Sequence, residues 1–127
     1  NKYNISLPDA TLSFTIDATA FEQIILNLLT NAIKYNDKPI VEISIDYSIQ
    51  GKFILISVKD NGPGIKKQDQ EKMFMLFTNL DQKDNQGHMG TGIGLASVRT
   101  LAEKSGGRVW VESELGSGAV FYLELPV

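Results

Sequence analysis

The chain contains no cysteine, which excludes disulfides and thiolate metal sites and fits a reducing compartment. It has one histidine, His88, too few for a multi-histidine metal site. Basic residues form no stripe and the net charge is −3, which argues against a nucleic-acid partner. No apolar run is long enough to span a bilayer, and the opening NKYNISLPDA is not a signal peptide. Internal repeats and low-complexity linkers are also missing. What is there is one domain's worth of chain: 127 residues, 43% hydrophobic and 21% charged, enough to bury a core and too apolar for a disordered segment. A chain that opens in mid-pattern reads as residues 1–127 of a longer protein.

Residues 12–16 (LSFTI) suggest a short strand, and Asp17 an N-cap for a helix from Ala18 to about Tyr35. Phe21, Ile24, Ile25, Leu28, Leu29, Ala32 and Ile33 repeat at the spacing of one buried helical face. From Val41 to Ile49 apolar and polar residues alternate as in a strand; Gln50-Gly51 suggests a hairpin turn. Phe53 to Lys59 reads as a second strand, apolar on most of both faces. A short helix is expected near Lys66 to Phe77, and a polar, aperiodic loop from Thr78 to Met89. Leu95, Val98, Leu101 and Ala102 mark a further helix, closed by Gly106-Gly107. Strands over Arg108–Glu114 and Ala119–Leu125 meet at Gly116-Ser117-Gly118. With no βαβ rhythm in this order, the pattern predicts a two-layer α/β sandwich with a mixed, mostly antiparallel sheet and about three helices.

Four places could carry chemistry. Asn27, Asn31 and Lys34 share one stripe of the first helix, opposite its apolar face. A solvated face explains such a stripe, but asparagine is a poor helix former, and an amide oxygen suits Mg²⁺. In VKDNGPGI, Asp60 continues the apolar parity of Ile54, Ile56 and Val58, where a carboxylate is costly without donors. The exocyclic amine of a purine would supply one, with Gly62 and Gly64 letting backbone approach the ring; a plain Asp-Asn-Gly turn is the alternative. Gly90, Gly92 and Gly94 open the later helix with free N–H groups at its positive end, which favours a polyphosphate. They match neither a Walker A loop nor a dinucleotide fingerprint. Finally, Gly87 and Gly90 bracket His88-Met89, as hinges of a lid or as part of a disordered loop.

The order and spacing of FEQIILNLLTNAIKYN, DNGPGI, MFMLF and GTGIGLASVRTLAEKSGGRVWVESELGSGAVFYLELP resemble the ATP-binding catalytic domain of sensor histidine kinases, from about Asp17 to Pro126. That domain shares a superfamily with DNA gyrase, heat-shock chaperone and mismatch-repair ATPases. The resemblance implies a Bergerat-type sandwich with a flexible ATP lid, least ordered over residues 79–89, and ATP and Mg²⁺ as ligands. It assigns the metal to Asn31, with Asn27 beside it and Lys34 reaching phosphate oxygens. Tyr35 would border the nucleotide, Asp60 read the adenine amine, and Gly62, Gly64 and Ile65 line that pocket. Gly90, Thr91, Gly92, Gly94 and Leu95 would flank the triphosphate, and Phe74 and Phe77 lie beneath the lid.

Departures from the family pattern narrow this reading. Hydrolytic members carry a glutamate where this chain has Asn27, and an amide cannot take up the proton of an attacking water. Thr78-Asn79 stand where many relatives place a basic residue, which leaves Lys83 to supply the charge. Ala119 replaces a frequent threonine near the adenine. His88, followed by Met89 and Gly90, does not fit a phosphoacceptor site, so no catalytic residue is assigned within the chain. The resemblance implies a phosphoacceptor and dimerisation domain elsewhere in the protein, a response-regulator receiver domain as partner, and two-component signal transduction. It implies no nucleic-acid or direct membrane contact for this domain, and a cytoplasmic location whether or not a longer parent is membrane-anchored. A serine/threonine kinase of the anti-sigma type, a hydrolytic superfamily member, and a degenerate scaffold are the competing readings.

Overall fold

The computed structural model describes residues 2–6, 18–34, 36–70, 74 and 93–126. In chain order these form β1 (Lys2–Ser6), α1 (Ala18–Lys34), β2 (Ile40–Gln50), β3 (Phe53–Asp60), α2 (Lys67–Gln70), α3 (Ile93–Lys104), β4 (Arg108–Ser113) and β5 (Ala119–Pro126). The five strands make one sheet in the order β1-β2-β3-β5-β4. β1 runs parallel to β2, and every other pairing is antiparallel. The α/β sandwich with a mixed, mostly antiparallel sheet is therefore present.

Two differences from the sequence reading have physical causes. The parallel β1–β2 pair joined through α1 is a βαβ unit, absent from the expected rhythm because the alternation of Tyr3 and Ile5 with Lys2, Asn4 and Ser6 is too short to stand out. The strand expected over residues 12–16 and the Asp17 cap lie outside the described residues. β3 is buried on one face only, with Ile54, Ile56 and Val58 inward and Lys59 and Phe53 exposed. An antiparallel sheet can leave its second face to water, so apolar residues on both faces of a strand did not require a second covering layer.

β2 and β3 are joined through Gly51-Lys52, with Gln50 paired to Phe53 and Gly51 at φ 62°. A positive φ at the first loop position is what a two-residue hairpin needs to match the twist of its strands. α1 ends where Asn36 N–H bonds the Ile33 carbonyl at 3.3 Å. The Asn36 side chain then accepts the Lys38 N–H at 2.8 Å, turning the chain into β2. α3 closes with Gly107 N–H on the Ala102 carbonyl and Gly106 N–H on that of Glu103, the paired bonds of a Schellman end. Of the helix expected over residues 66–77, the described part is α2 and Phe74, whose ring meets Phe121 edge-on at 6.2 Å.

One apolar cluster fills the space between helices and sheet. α1 gives it Ile24, Leu28 and Ala32, β2 Val41 and Ile43, α3 Leu95, Val98 and Ala102, and β5 Phe121, Leu123 and Leu125. The other face of the sheet carries Trp110 stacked on Tyr122, ring centroids 5.3 Å apart. The Arg108 guanidinium lies 4.5 Å over Trp110 and bonds Glu124 at 3.2 Å. Among the described residues no helix is long and apolar enough to cross a membrane.

The packing generates a direct comparison on α1. Leu28 is fully buried while Leu26 is 64% exposed. Leu28→Ala is expected to lower the unfolding free energy by about 2–5 kcal/mol, counting lost transfer and cavity together. Leu26→Ala should change it by about 0.5 kcal/mol or less. Urea unfolding of the two variants measures both.

Candidate nucleotide site

The inward parity of β3 carries Asp60 to the end of a buried row, where it is 9% exposed. Its carboxylate is met by backbone. Oδ1 accepts the Gly62 N–H at 2.8 Å and the Ala119 N–H at 3.3 Å. Both bonds fall on one oxygen, and Oδ2 meets no hydrogen-bond donor among the described residues. Burial pushes the carboxyl above its ordinary value of 3.8, and the two N–H groups offset part of that rise by stabilising the ion. The arrangement is a half-satisfied carboxylate in an apolar wall, able to accept from a ligand N–H.

The loop after β3 explains its glycines. A Cβ on Gly62 would stand 3.0 Å from Asp60 Oδ1 and 3.5 Å from Asn36 Nδ2, so a side chain there would crowd the carboxylate. Gly64 has φ 81°, and a side chain on it would run into the Glu114 carbonyl. Gly64 thus makes room for the β4–β5 connection, a need that exists with or without a ring beside it. Ile65 points its side chain into the core; its N–H bonds Ser113 Oγ at 2.9 Å and its carbonyl accepts from Gln70 Nε2 at 2.8 Å.

On α1 the stripe of Asn27, Asn31 and Lys34 is half-buried and does not lie opposite the apolar face. Asn27 and Asn31 sit about 60° round the helix from Ile24 and Leu28, so they flank the buried line. The exposed side is that of Glu22, Leu26 and Thr30. The earlier placement failed because Ile25, Leu29 and Ile33, only partly buried, pulled the apparent centre of the apolar face away from Ile24, Leu28 and Ala32. Flanking a packed line suits ligands better than solvation would, since half-buried amides keep a fixed direction. Lys34 stands in the last turn of α1. α1 packs on α3 and on β2 and β3, so stripe and strand end belong to the same covered side of the sheet.

α3 begins at Ile93, one residue after Gly92, with Gly94 in its first turn and Leu95 in the core. Tyr35, Phe77, Gly90, Thr91 and Gly92 lie outside the described residues, as do Lys83, His88 and the expected lid over 79–89.

Sequence reasoning missed four polar residues around Asp60. Asn36 is 1% exposed and donates to Asn61 Oδ1 at 2.8 Å. Asn61 also accepts the Glu42 N–H at 3.0 Å and donates to the Ile40 carbonyl at 3.1 Å, tying the end of α1 to the start of β2 beside the carboxylate. Ser113 and Gln70 brace the loop from the other side. The Asn36-Asp37-Lys38 turn was a usable signal for the first; nothing local marks the others, whose partners are distant in sequence.

Residues 16–127 match the family described as histidine kinase-, DNA gyrase B-, and HSP90-like ATPase. The chain is 37% identical over 125 residues to the adaptive-response sensory kinase SasA of Prochlorococcus marinus, covering 98% of this chain and 32% of that protein. It is 37% identical over 122 residues to the sensor histidine kinase WalK of Bacillus subtilis, covering 95% of this chain and 20% of that one. Full-length ShkA, solved in complex with AMPPNP, shares the fold with a TM-score of 0.78 at 31% identity, covering 98% of this chain and 25% of that chain. The chain thus spans a third or less of the length of these relatives. On this sequence match and this fold, the chain belongs to the histidine kinase-, DNA gyrase B-, and HSP90-like ATPase family, as an ATP-binding catalytic domain of the sensor histidine kinase kind.

Proposed function

We propose that the chain binds Mg-ATP and delivers the γ-phosphate to a histidine on a separate phosphoacceptor and dimerisation domain, from which a response-regulator receiver domain takes it. The observation that carries this reading is the Asp60 carboxylate, buried and held by two backbone donors on Oδ1 while Oδ2 is left to accept. An adenine presents an exocyclic N–H to such a group; a guanine at the same position presents a carbonyl and is repelled. The ShkA relative, solved with AMPPNP, supports a nucleotide in this fold. The cysteine-free composition supports a cytoplasmic setting.

The rest of the site follows from charge. Gly90, Thr91 and Gly92 precede α3 in sequence and Gly94 lies in its first turn, so their N–H groups would suit a triphosphate at the positive end of the helix, with Lys34 as a cation. The donors on α1 fit Mg²⁺. Asn31 supplies a neutral, hard oxygen held in a half-buried place, Asn27 stands a turn earlier, and the ion's other ligands would be water and phosphate oxygens. Held there, the ion would supply positive charge to offset that of the phosphates. On the family resemblance, Tyr35, Ile65, Phe77 and Leu95 would border the nucleotide. Transfer then requires the acceptor imidazole nitrogen to bond the γ-phosphorus in line as the bond to the bridging oxygen breaks and ADP leaves. This chain's part is to position and to stabilise charge. Asn27 cannot act as a base, so water is a poor competitor for the phosphoryl group.

The same carboxylate costs the unliganded fold stability. Because Asp60 ionises at higher pH in the folded chain than in the unfolded one, the folded state holds more protons between the two values. Stability therefore falls as pH rises from about 3.8 through the raised value, and the cost persists at all higher pH.

Two measurements test this reading. In calorimetric titration, ADP or a non-hydrolysable ATP analogue should bind more tightly with Mg²⁺ than without. Asp60→Asn should weaken binding about tenfold or more, the usual scale for losing a hydrogen bond to a charged group. Asn31→Ala should remove the Mg²⁺ increment while sparing Mg²⁺-free binding. Absence of binding by the parent chain, or stable phosphohistidine formed on this chain alone, overturns the proposal. In thermal unfolding without ligand at neutral pH, Asp60→Asn should melt higher than the parent, because its amide oxygen keeps both backbone donors and the buried charge is gone.

A further inference from the structure

Ser113 lies 53 positions from Asp60 in sequence and does not touch the carboxylate, yet hydrogen bonds lead from one to the other. Ser113 pairs with Ala119 at the last register position of the β4–β5 hairpin, on the same face of β4 as the core-packed Val109 and Val111. A serine there points a hydroxyl at an apolar layer, a costly choice unless both its donor and its acceptor are used. Both are. Oγ accepts the Ile65 N–H at 2.9 Å and donates to the Gly118 carbonyl at 2.6 Å.

The Gly118 carbonyl and the Ala119 N–H belong to one planar peptide unit. Ser113 therefore holds one end of the peptide whose other end donates to Asp60 Oδ1 at 3.3 Å. That bond is the longer of the two on Oδ1, hence the one most sensitive to a tilt of the peptide plane. Gly118 allows the approach: its φ is 78°, and a side chain on it would collide with the Asp60 carbonyl. The chain of bonds runs from Ile65 N–H through the Ser113 hydroxyl and the Gly118–Ala119 peptide to the carboxylate, each bond polarising the next. Its first member, Ile65, closes the loop whose Gly62 N–H makes the other bond to Oδ1. Gln70 fixes the ends of this arrangement, donating at 2.8 Å to both the Ile65 and the Ser113 carbonyls.

We propose that Ser113 is a positioning residue for base selection: its hydroxyl fixes the Gly118–Ala119 peptide, which locks Oδ1 of Asp60 and aims Oδ2 at the exocyclic amine of the purine. This rests on the reading of Asp60 given above. It assigns adenine selectivity partly to a side chain on an edge strand that meets neither nucleotide nor carboxylate. A residue with only a packing role would affect all nucleotides equally; an aiming residue affects the preference between a base with an amine at that position and one with a carbonyl.

The test compares ADP with inosine diphosphate, which carries a carbonyl in place of the amine, by calorimetry on the whole chain. In Ser113→Ala the preference for ADP should narrow about three- to tenfold, the scale of one loosened hydrogen bond. Ser113→Thr, which restores the hydroxyl at a strand position that tolerates threonine, should recover it. Should Ser113→Ala fail to fold, Ser113→Cys, with a weaker donor of similar shape, should show a smaller narrowing. An unchanged preference in the folded variant, or equal weakening of both nucleotides, overturns the inference while leaving Asp60 as base reader intact. A parent chain without preference, or Asp60→Asn with the parent's preference, brings down the base-reading proposal itself and this inference with it.

Discussion

A single carboxylate set into the apolar face of the sheet is the constraint around which this end of the molecule is arranged. The parity of β3 gives Asp60 no alternative to facing inward, since Ile54, Ile56 and Val58 fix which side of the strand is covered. An ionised group there must be met by donors, and among the described residues no side chain supplies one. Instead, two backbone N–H groups converge from turns that are remote in sequence, one directly after β3 and one at the start of β5. Gly62 and Gly118 lack side chains at the points where those turns come closest to the Asp60 oxygens. The Asn36–Asn61 bridge on one flank and the Ser113–Gln70 brace on the other keep both turns in place. Local irregularity, glycine placement and buried polar contacts in this region have one common cause.

On the proposed function, the base end and the phosphate end of the site would differ in construction. The base end consists of sheet backbone and its flanking turns, where each group is hydrogen-bonded into the ladder or to a brace. The phosphate end consists of helix termini and helix-borne side chains: the stripe on α1 and the start of α3. Base recognition needs one donor or acceptor in a fixed direction, which sheet backbone provides. Phosphates need diffuse positive potential and a metal ligand, which helix ends and a half-buried amide would provide in the proposed site. α1 serves both ends, since its Ile24–Leu28–Ala32 line anchors it on the sheet while Asn27 and Asn31, beside that line, keep their orientation.

Much of this was legible in the residues. Period-two alternation located β2 almost to its ends, and β3 stopped where the carboxylate and its glycines begin. The paired glycines after Lys104 marked the close of α3. Asp60 declared itself by parity alone, as a charge on the face its neighbours bury. Legibility failed where structure depends on distant partners. β1 is held by pairing with β2, and its period-two alternation rests on only two apolar residues, Tyr3 and Ile5, in a five-residue strand. The Asn27 stripe was placed on the wrong side because apolar content is a poor guide to which of several apolar lines is packed. Asn36, Asn61, Ser113 and Gln70 looked like ordinary turn and surface residues, and their role follows from hydrogen bonds that span up to 48 positions. That Gly64 also makes room for the Glu114 carbonyl of the neighbouring hairpin could not be read locally.

The stacked pair on the far face of the sheet has an optical consequence. Trp110 is the chain's sole tryptophan, and it lies against Tyr122 under the Arg108 guanidinium, with the sheet between it and the buried face that holds Asp60. Its emission is therefore governed by that stack and by the β4–β5 pairing beneath it. As an intrinsic fluorophore it reports whether the hairpin is folded, and it is nearly blind to occupancy on the opposite side. Fluorescence that stays flat during a nucleotide titration of this chain is the signal of a reporter facing away, and carries no information on binding.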